Sequence, residues 1–289
     1  MRDSDGVTEL GVGVIGAGWM GHVHARAYAR LPHHYPELGV RPRLVAVADP
    51  VPAQLDDFAA RFAPARRHAD WRELLADPEV RAVSVTAPNA LHREIGTAVA
   101  EAGRDLWIEK PVGLTADDAR AVAEAVERAG VRAAVGFNYR TFPAVARARA
   151  LLGEGAIGTP THARCRLLTD YAAHPRAALS WRFTRRLGGG GVLGDLASHG
   201  VDLVRFLLGD LAAVVAETAV FTPRRPRTPR RAGWRTTTTS ARCCAPRAAS
   251  RSPSRPAGRR WASRTPTASR CTARGGCSPG TSAAPANWR

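Results

Sequence analysis

The chain has 289 residues, with 42 Lys and Arg against 25 Asp and Glu, for a formal net charge of +17. That length suggests roughly two domains and a sizeable core. No apolar run approaches the ~20 residues of a membrane span, and the opening MRDSDGVTEL carries acids and no apolar stretch, so it does not read as a signal peptide. A cytoplasmic location is expected. The charge is uneven: residues 1–222 hold 26 basic and 25 acidic groups, whereas residues 223–289 hold 16 Arg and no acid. One lysine, Lys110, stands among 41 arginines. It is worth locating, because a lysine can give up its proton in a protein and an arginine cannot.

In chain order, LGVGVIG (10–16) predicts a buried strand that ends in glycine. Gly16-Ala17-Gly18-Trp19-Met20-Gly21 follows, and then HVHARAYARL with helical spacing. A G-x-G-x-x-G between a strand and a helix is the dinucleotide fingerprint in its proper setting. Gly16 makes the tight turn, Gly18 admits the pyrophosphate, and Gly21 lets helix and strand approach. His22 and His24 have no metal-like partner set and read as structural. RLVAVAD (43–49) predicts the second strand. Asp49 stands where a carboxylate accepts hydrogen bonds from the adenosine ribose and repels a 2′-phosphate, so NAD is favoured over NADP. Asp49 also suits the opening of the Asp-Pro turn.

A helix is expected over 51–63, and then a buried strand AVSVTA (82–87), followed by PNALHREIGTAVAEAG, helical after its proline. DLWIEKP (105–111) predicts a further strand. The next helix has Thr115 as N-cap and acids in its first turn, and VRAAVGF (131–137) predicts another strand. Strands alternating with helices predict an α/β fold with a doubly wound parallel sheet. Its ligands bind beyond the carboxyl ends of the strands, where Asn89, Lys110 and Asn138 stand.

Gly16–Gly21, TAPNALH (86–92), Glu109-Lys110-Pro111, GFNYR (136–140), SWRF (180–183) and GGGGVLGDLASHGVDLVRFLLG (188–209) occur in this order. Together they resemble the Gfo/Idh/MocA oxidoreductases over residues 10–222. The resemblance implies an N-terminal Rossmann domain (1–138) followed by an α/β domain with an open, mainly antiparallel sheet, of which 139–222 is a part. It implies hydride transfer between NAD(P) and a carbinol carbon of a sugar or cyclitol. The family's catalytic residues are matched by Lys110, Asp195 and His199.

Chemistry agrees with that set. Oxidising a hydroxyl needs a base for its proton, and His199 suits this. Lys110 can stabilise charge on the reacting oxygen. Asp195, four residues from His199, shares a helix face with it. Asp195 could orient His199 or bind a neighbouring hydroxyl, and Asp202 could orient His199 from the other side. Along with the fingerprint residues, Ala87, Pro88, Asn89, Glu109, Lys110 and Asn138 are expected at the cofactor. His92 lines it or caps and packs the following helix. Tyr139, Trp181 and Arg182 are expected to face nicotinamide or substrate beside Asp195 and His199, with Trp181 equally suited to the core. Cys165 reads as a strand residue. No C-x-x-C spacing is present, so no metal is expected.

Residues 223–289 lose aliphatic periodicity and every acid, as in a segment without a packed core. They are expected to be a disordered tail read out of frame. Shifting the codon junctions makes Cys243/Cys244 encode Leu, Trp261/Ala262 Gly, Cys271/Thr272 His or Tyr, and Asn287/Trp288 Leu. The rival reading is a basic nucleic-acid-binding tail. Loss of the late strands leaves an open sheet edge. It puts the family's homo-oligomer in doubt and predicts an unstable or inactive chain. Two further readings keep the fold: glycoside hydrolysis with tightly held NAD, and a non-catalytic NAD-binding relative.

Overall fold

The computed structural model describes residues 7–226 and the backbone of 242–244. The first half alternates strand and helix as expected: β1 (Thr8–Ile15), α1 (Trp19–His34), β2 (Val40–Ala48), α2 (Pro52–Phe62), β3 (Arg66–His68), α3 (Trp71–Ala76), β4 (Ala82–Val85), α4 (His92–Glu101), β5 (Asp105–Ile108), α5 (Ala116–Ala129) and β6 (Ala133–Val135). The six strands form one parallel sheet in the order β3-β2-β1-β4-β5-β6. The order reverses between β1 and β4, which places a ligand crevice at that point.

Valines hold the centre of this sheet. Val12, Val14, Val45, Val47, Val83 and Val85 are all buried, and Leu74, Ile95, Ile108 and Val122 close the layers above them. Each such side chain contributes about 1.5–3 kcal/mol relative to exposure. α5 shows local sequence making local structure. Thr115 Oγ1 accepts from the Asp118 N–H while the Asp118 carboxylate accepts from the Thr115 N–H, a reciprocal cap. Gly130, at φ 67°, ends the helix in the left-handed region.

The strand expected to run to Pro111 ends at Ile108, since proline has no N–H to continue the ladder. β3 and α3 were not foreseen. Three residues, RRH, carry no alternating apolar pattern, and their pairing with Ala46–Ala48 makes the strand.

The second half contains α6 (Pro143–Gly153), α7 (Arg185–Gly188), α8 (Ser198–Leu208), β7 (Val215–Glu217) and β8 (Arg242–Cys244). The expected open sheet is represented among the described residues by the antiparallel pair β7–β8 alone. β8 falls in the segment expected to lack structure, which is a correction to that expectation. Cys165 is exposed and stands in chain without strand pairing, not in a strand as expected. The remaining expectations for the tail, over 227–241 and 245–289, lie outside the described residues. No helix among the described residues is long and apolar enough to cross a membrane, and no cluster of metal-binding side chains is found among them.

Candidate active site

The fingerprint turn joins β1 to α1. Gly16 has φ 101°, a conformation that suits glycine, and a Cβ there would lie 2.8 Å from the Ala87 nitrogen. At Gly21 a Cβ would lie 2.2 Å from the Gly16 carbonyl oxygen, so this residue lets α1 sit on the turn. Gly18 is open: its Cβ would meet only Gln54, at 3.5 Å. α1 begins with no side-chain cap and no acid in its first turn. Its free N–H groups and positive dipole end therefore face a groove of about 550 Å³ lined by Ala17, Gly18, Trp19, Gln54 and Arg61 among others. Trp19 is 72% exposed at its rim, and Met20 is half-buried beside it. A cradle that any Cβ would narrow, backed by an uncapped helix start, fits a dinucleotide pyrophosphate. Asp49 is buried at the end of β2. Its carboxylate accepts from the Ala17 and Val51 N–H groups, both at 2.9 Å, so it fixes the turn.

The other expected cofactor residues also stand beyond strand ends. Ala87, Pro88 and Asn89 follow β4. Asn89 is buried and donates to the Gly188 carbonyl at 3.2 Å, tying the Rossmann half to the glycine run. Asn138 is exposed past β6. His92 is 1% exposed, with Nδ1 2.7 Å from the Pro111 carbonyl and Nε2 2.8 Å from the Ala87 carbonyl. It braces the loops after β4 and β5 against each other. Burial holds its pKa below the ordinary imidazole value, against the two carbonyl contacts. The Glu109 carboxylate turns inward to His24 Nε2 at 3.1 Å, and a Cβ on Gly136 would lie 2.3 Å from it. His24 also meets Ser84 Oγ at 2.9 Å, and Ser84 meets the Tyr28 hydroxyl at 2.6 Å. This buried polar chain ends at Glu109, the residue before Lys110.

Lys110 Nζ donates to Asp195 Oδ1 at 3.0 Å and to the Asp195 backbone carbonyl at 2.8 Å. The second carboxylate oxygen, Oδ2, accepts from the Tyr171 hydroxyl. Burial pushes the Asp195 pKa up, but Tyr171 and Lys110 outweigh it and hold the carboxyl below its usual range. Burial and the Asp195 charge raise that of Tyr171. His199 stacks at 4.7 Å on Tyr139 and meets Phe137 edge-on at 5.9 Å. Its Nδ1 is buried without a hydrogen-bond partner among the described residues. Burial first, and then the Lys110 charge, lower its pKa, which keeps the ring neutral near pH 7.

Two expectations about this helix are corrected. Asp195 is not itself in α8. It lies in a π-helical turn (Leu193–Ala197) that runs directly into α8, where regular α spacing does not hold. Asp202 does not orient His199: its carboxylate takes Arg140, Nε to Oδ2 at 2.7 Å with a second bond from NH2 to Oδ1. Arg140 also stacks 5.2 Å over Phe206, which fixes the turn that carries Tyr139. Trp181 and Arg182 are half-buried, with the guanidinium 4.4 Å over the indole. The charge of Arg182 is felt at both Tyr171 and Asp195. Tyr171 and Arg140 were not among the expected site residues. Arg140 stood inside the GFNYR motif, whereas Tyr171 sits in an irregular loop with no periodic signal.

Two family profiles match this chain. Residues 10–137 match the oxidoreductase family, NAD-binding Rossmann fold, and residues 145–242 match the GFO/IDH/MocA C-terminal domain. The chain belongs to the Gfo/Idh/MocA oxidoreductase family. The second match runs past residue 222. Among the relatives of this Gfo/Idh/MocA chain, levoglucosan dehydrogenase of Pseudarthrobacter phenanthrenivorans is 41% identical over 220 residues, covering 75% of this chain and 56% of the relative. Inositol 2-dehydrogenase of Rhizobium meliloti is 32% identical, covering 72% and 57%. A solved levoglucosan dehydrogenase in complex with NADH and levoglucosan superposes with a TM-score of 0.70 at 37% identity, covering 77% of this chain and 60% of that one. The chain thus spans a little over half the length of the relatives it matches.

Proposed function

We propose that this chain binds NAD(H) along the carboxyl edge of the parallel sheet. We propose that its site moves hydride between the nicotinamide and a hydroxyl-bearing carbon of a sugar or cyclitol. The observation that carries this reading is the convergence of Lys110, Asp195 and His199, in a chain whose first strand and helix are joined by an uncapped, glycine-lined helix start. Gly16–Gly21 and Asp49 hold the dinucleotide, with the loops at Ala87–Asn89 and Asn138 along its path. When bound, the nicotinamide supplies the hydride acceptor.

The remaining chemistry belongs to the side chains. Lys110, held by Asp195, donates to the substrate oxygen and stabilises its developing negative charge. His199, neutral because buried, takes the hydroxyl proton. Its Nδ1 is closed off, so Nε2 receives it. Tyr139 and Phe137 hold the imidazole plane. NAD rather than NADP follows from the carboxylate at Asp49. The sugar or cyclitol class is supported by relatives that act on levoglucosan and inositol.

The test has two steps. NADH fluorescence titration reads cofactor binding by itself, and saturable binding is expected. NAD reduction is then followed with levoglucosan, inositols and aldoses, and NADH is expected to form with at least one. Binding without any NADH formation would favour a non-catalytic relative. Cofactor that stays bound while a glycoside is cleaved would favour the hydrolytic reading.

A further inference from the structure

Residues 154–180 run without a strand or helix, a length of irregular chain that in a compact domain usually serves function. Ala173 is nonetheless buried, and the stretch is fastened from one side by residues after β7. Arg225 donates NH1 to the His174 carbonyl at 2.9 Å and NH2 to the Ala172 carbonyl, and its guanidinium lies 4.2 Å over the Phe183 ring. The Leu179 N–H donates to the Pro226 carbonyl at 2.7 Å. These anchors begin at the residue after Tyr171, whose hydroxyl occupies one oxygen of the Asp195 carboxylate while Lys110 occupies the other.

We propose that Tyr171 is a further positioning residue of this site: its hydroxyl holds the Asp195 carboxylate on Lys110, and Arg225 braces the loop that brings it there. The inference rests on the functional reading above for its consequence, because a lysine held by a fixed carboxylate presents its remaining N–H groups in one direction. A carboxylate with one free oxygen can rotate off the ammonium. Two restraints from opposite sides, one on each oxygen, prevent that rotation. Arg225 extends the ordered part of the chain past residue 222 and gives that segment a task in the site.

The single lysine makes the contact measurable without cofactor or substrate. Lys110 acylation by a limiting amine reagent near pH 8 is followed by peptide mass spectrometry, and the N-terminal amine, on a separate peptide, serves as an internal standard. Tyr171→Phe removes one hydroxyl and keeps the ring. It is expected to raise the Lys110 rate about tenfold, the equivalent of one hydrogen bond to a charged group. Asp195→Asn should raise it at least as much, and Arg225→Met should raise it less. An unchanged rate in Tyr171→Phe beside a raised rate in Asp195→Asn would overturn the proposal, as would unchanged rates in both. Failure of the dehydrogenase reading shows separately, as loss of NADH binding or turnover with the Lys110 rates still following this order. In turning-over protein, Tyr171→Phe should lower kcat and leave the KM for NAD unchanged.

Discussion

At Lys110 and His199 the same charge has two effects. The ammonium is held by Asp195 and disfavours a proton on the nearby imidazole, so one residue supplies a cation for the substrate oxygen and keeps the base free. Replacing Lys110 by Met should therefore raise the His199 pKa toward or above its ordinary value near ~6.5, readable from the imidazole resonances in an NMR titration. An unmoved His199 titration would separate the two groups electrostatically. Lys110→Met and His199→Ala should each lower turnover by about 10²–10⁴-fold, the usual weight of a positioned acid–base or oxyanion-stabilising group, while NADH affinity stays within about twofold. In the wild-type protein, oxidation needs the neutral imidazole. Its acid limb should thus lie below ~6.5, with the rate falling as pH drops through the depressed His199 pKa.

The elements that set this site divide into those written in local sequence and those made by distant contacts. The β1–α1 junction is local. Gly21→Ala places a methyl 2.2 Å from the Gly16 carbonyl, so α1 must lift off the turn. NADH binding should fall by tenfold or more, and stability by about 1–3 kcal/mol, measured by fluorescence titration and urea unfolding. An alanine variant that binds normally would mean that the helix start does not cradle the cofactor. Strand valines, the fingerprint glycines and the Thr115 cap were all readable because each is dictated by residues within a few positions. β3 was not, because three arginine- and histidine-rich residues become a strand only against β2. The π-helical turn that carries Asp195 was not readable either, because Leu193–Ala197 has no pattern that separates it from the α-helix it enters. Tyr171 left no trace in the sequence, since its role comes from Arg225 and Asp195, 54 and 24 residues away respectively. Asp202 was read as a partner of His199 on spacing, whereas its partner comes from a different element. Asp202→Asn should weaken the fold by about 1–3 kcal/mol, since a buried acceptor and its guanidinium lose their charge pairing. Urea unfolding would show it, and an unchanged midpoint would place the Arg140 pair among surface contacts of no consequence.

For the whole molecule, the carboxyls and imidazoles whose ionisation is coupled to folding fall into two ranges of pH. Asp77, Asp105, Asp118 and Asp195 all have depressed pKa values: burial opposes ionisation, and hydrogen bonds from arginine, lysine, tyrosine or backbone partners outweigh it. Their contribution is present above the unfolded carboxyl value near ~3.9 and is lost as pH falls through the lower folded values. His92 and His199 are also depressed, by burial. The folded protein resists their protonation, so their contribution is complete above ~6.5 and is lost as pH falls below it. As far as these groups decide it, stability should be level just above neutrality and decline at up to about 1.4 kcal/mol per pH unit for each histidine below ~6.5, with a second decline in the acid range. His92 decides the sign of the first step. Its two nitrogens face two carbonyl oxygens, and a neutral ring can donate to only one of them. Protonation would satisfy both, with the nearby Glu109 charge favouring it and Lys110 opposing it. Desolvating a charged ring at 1% exposure outweighs the gain of one hydrogen bond. Urea midpoints at about pH 7.5 and about pH 5.5, bracketing the imidazole range, compared between the wild type and His92→Gln, test this directly. A decline in the wild type that flattens in the variant is expected. A wild type that gains stability on acidification would mean that His92 is held as a cation between the two loops, and the brace behind the site would then be an ionic one.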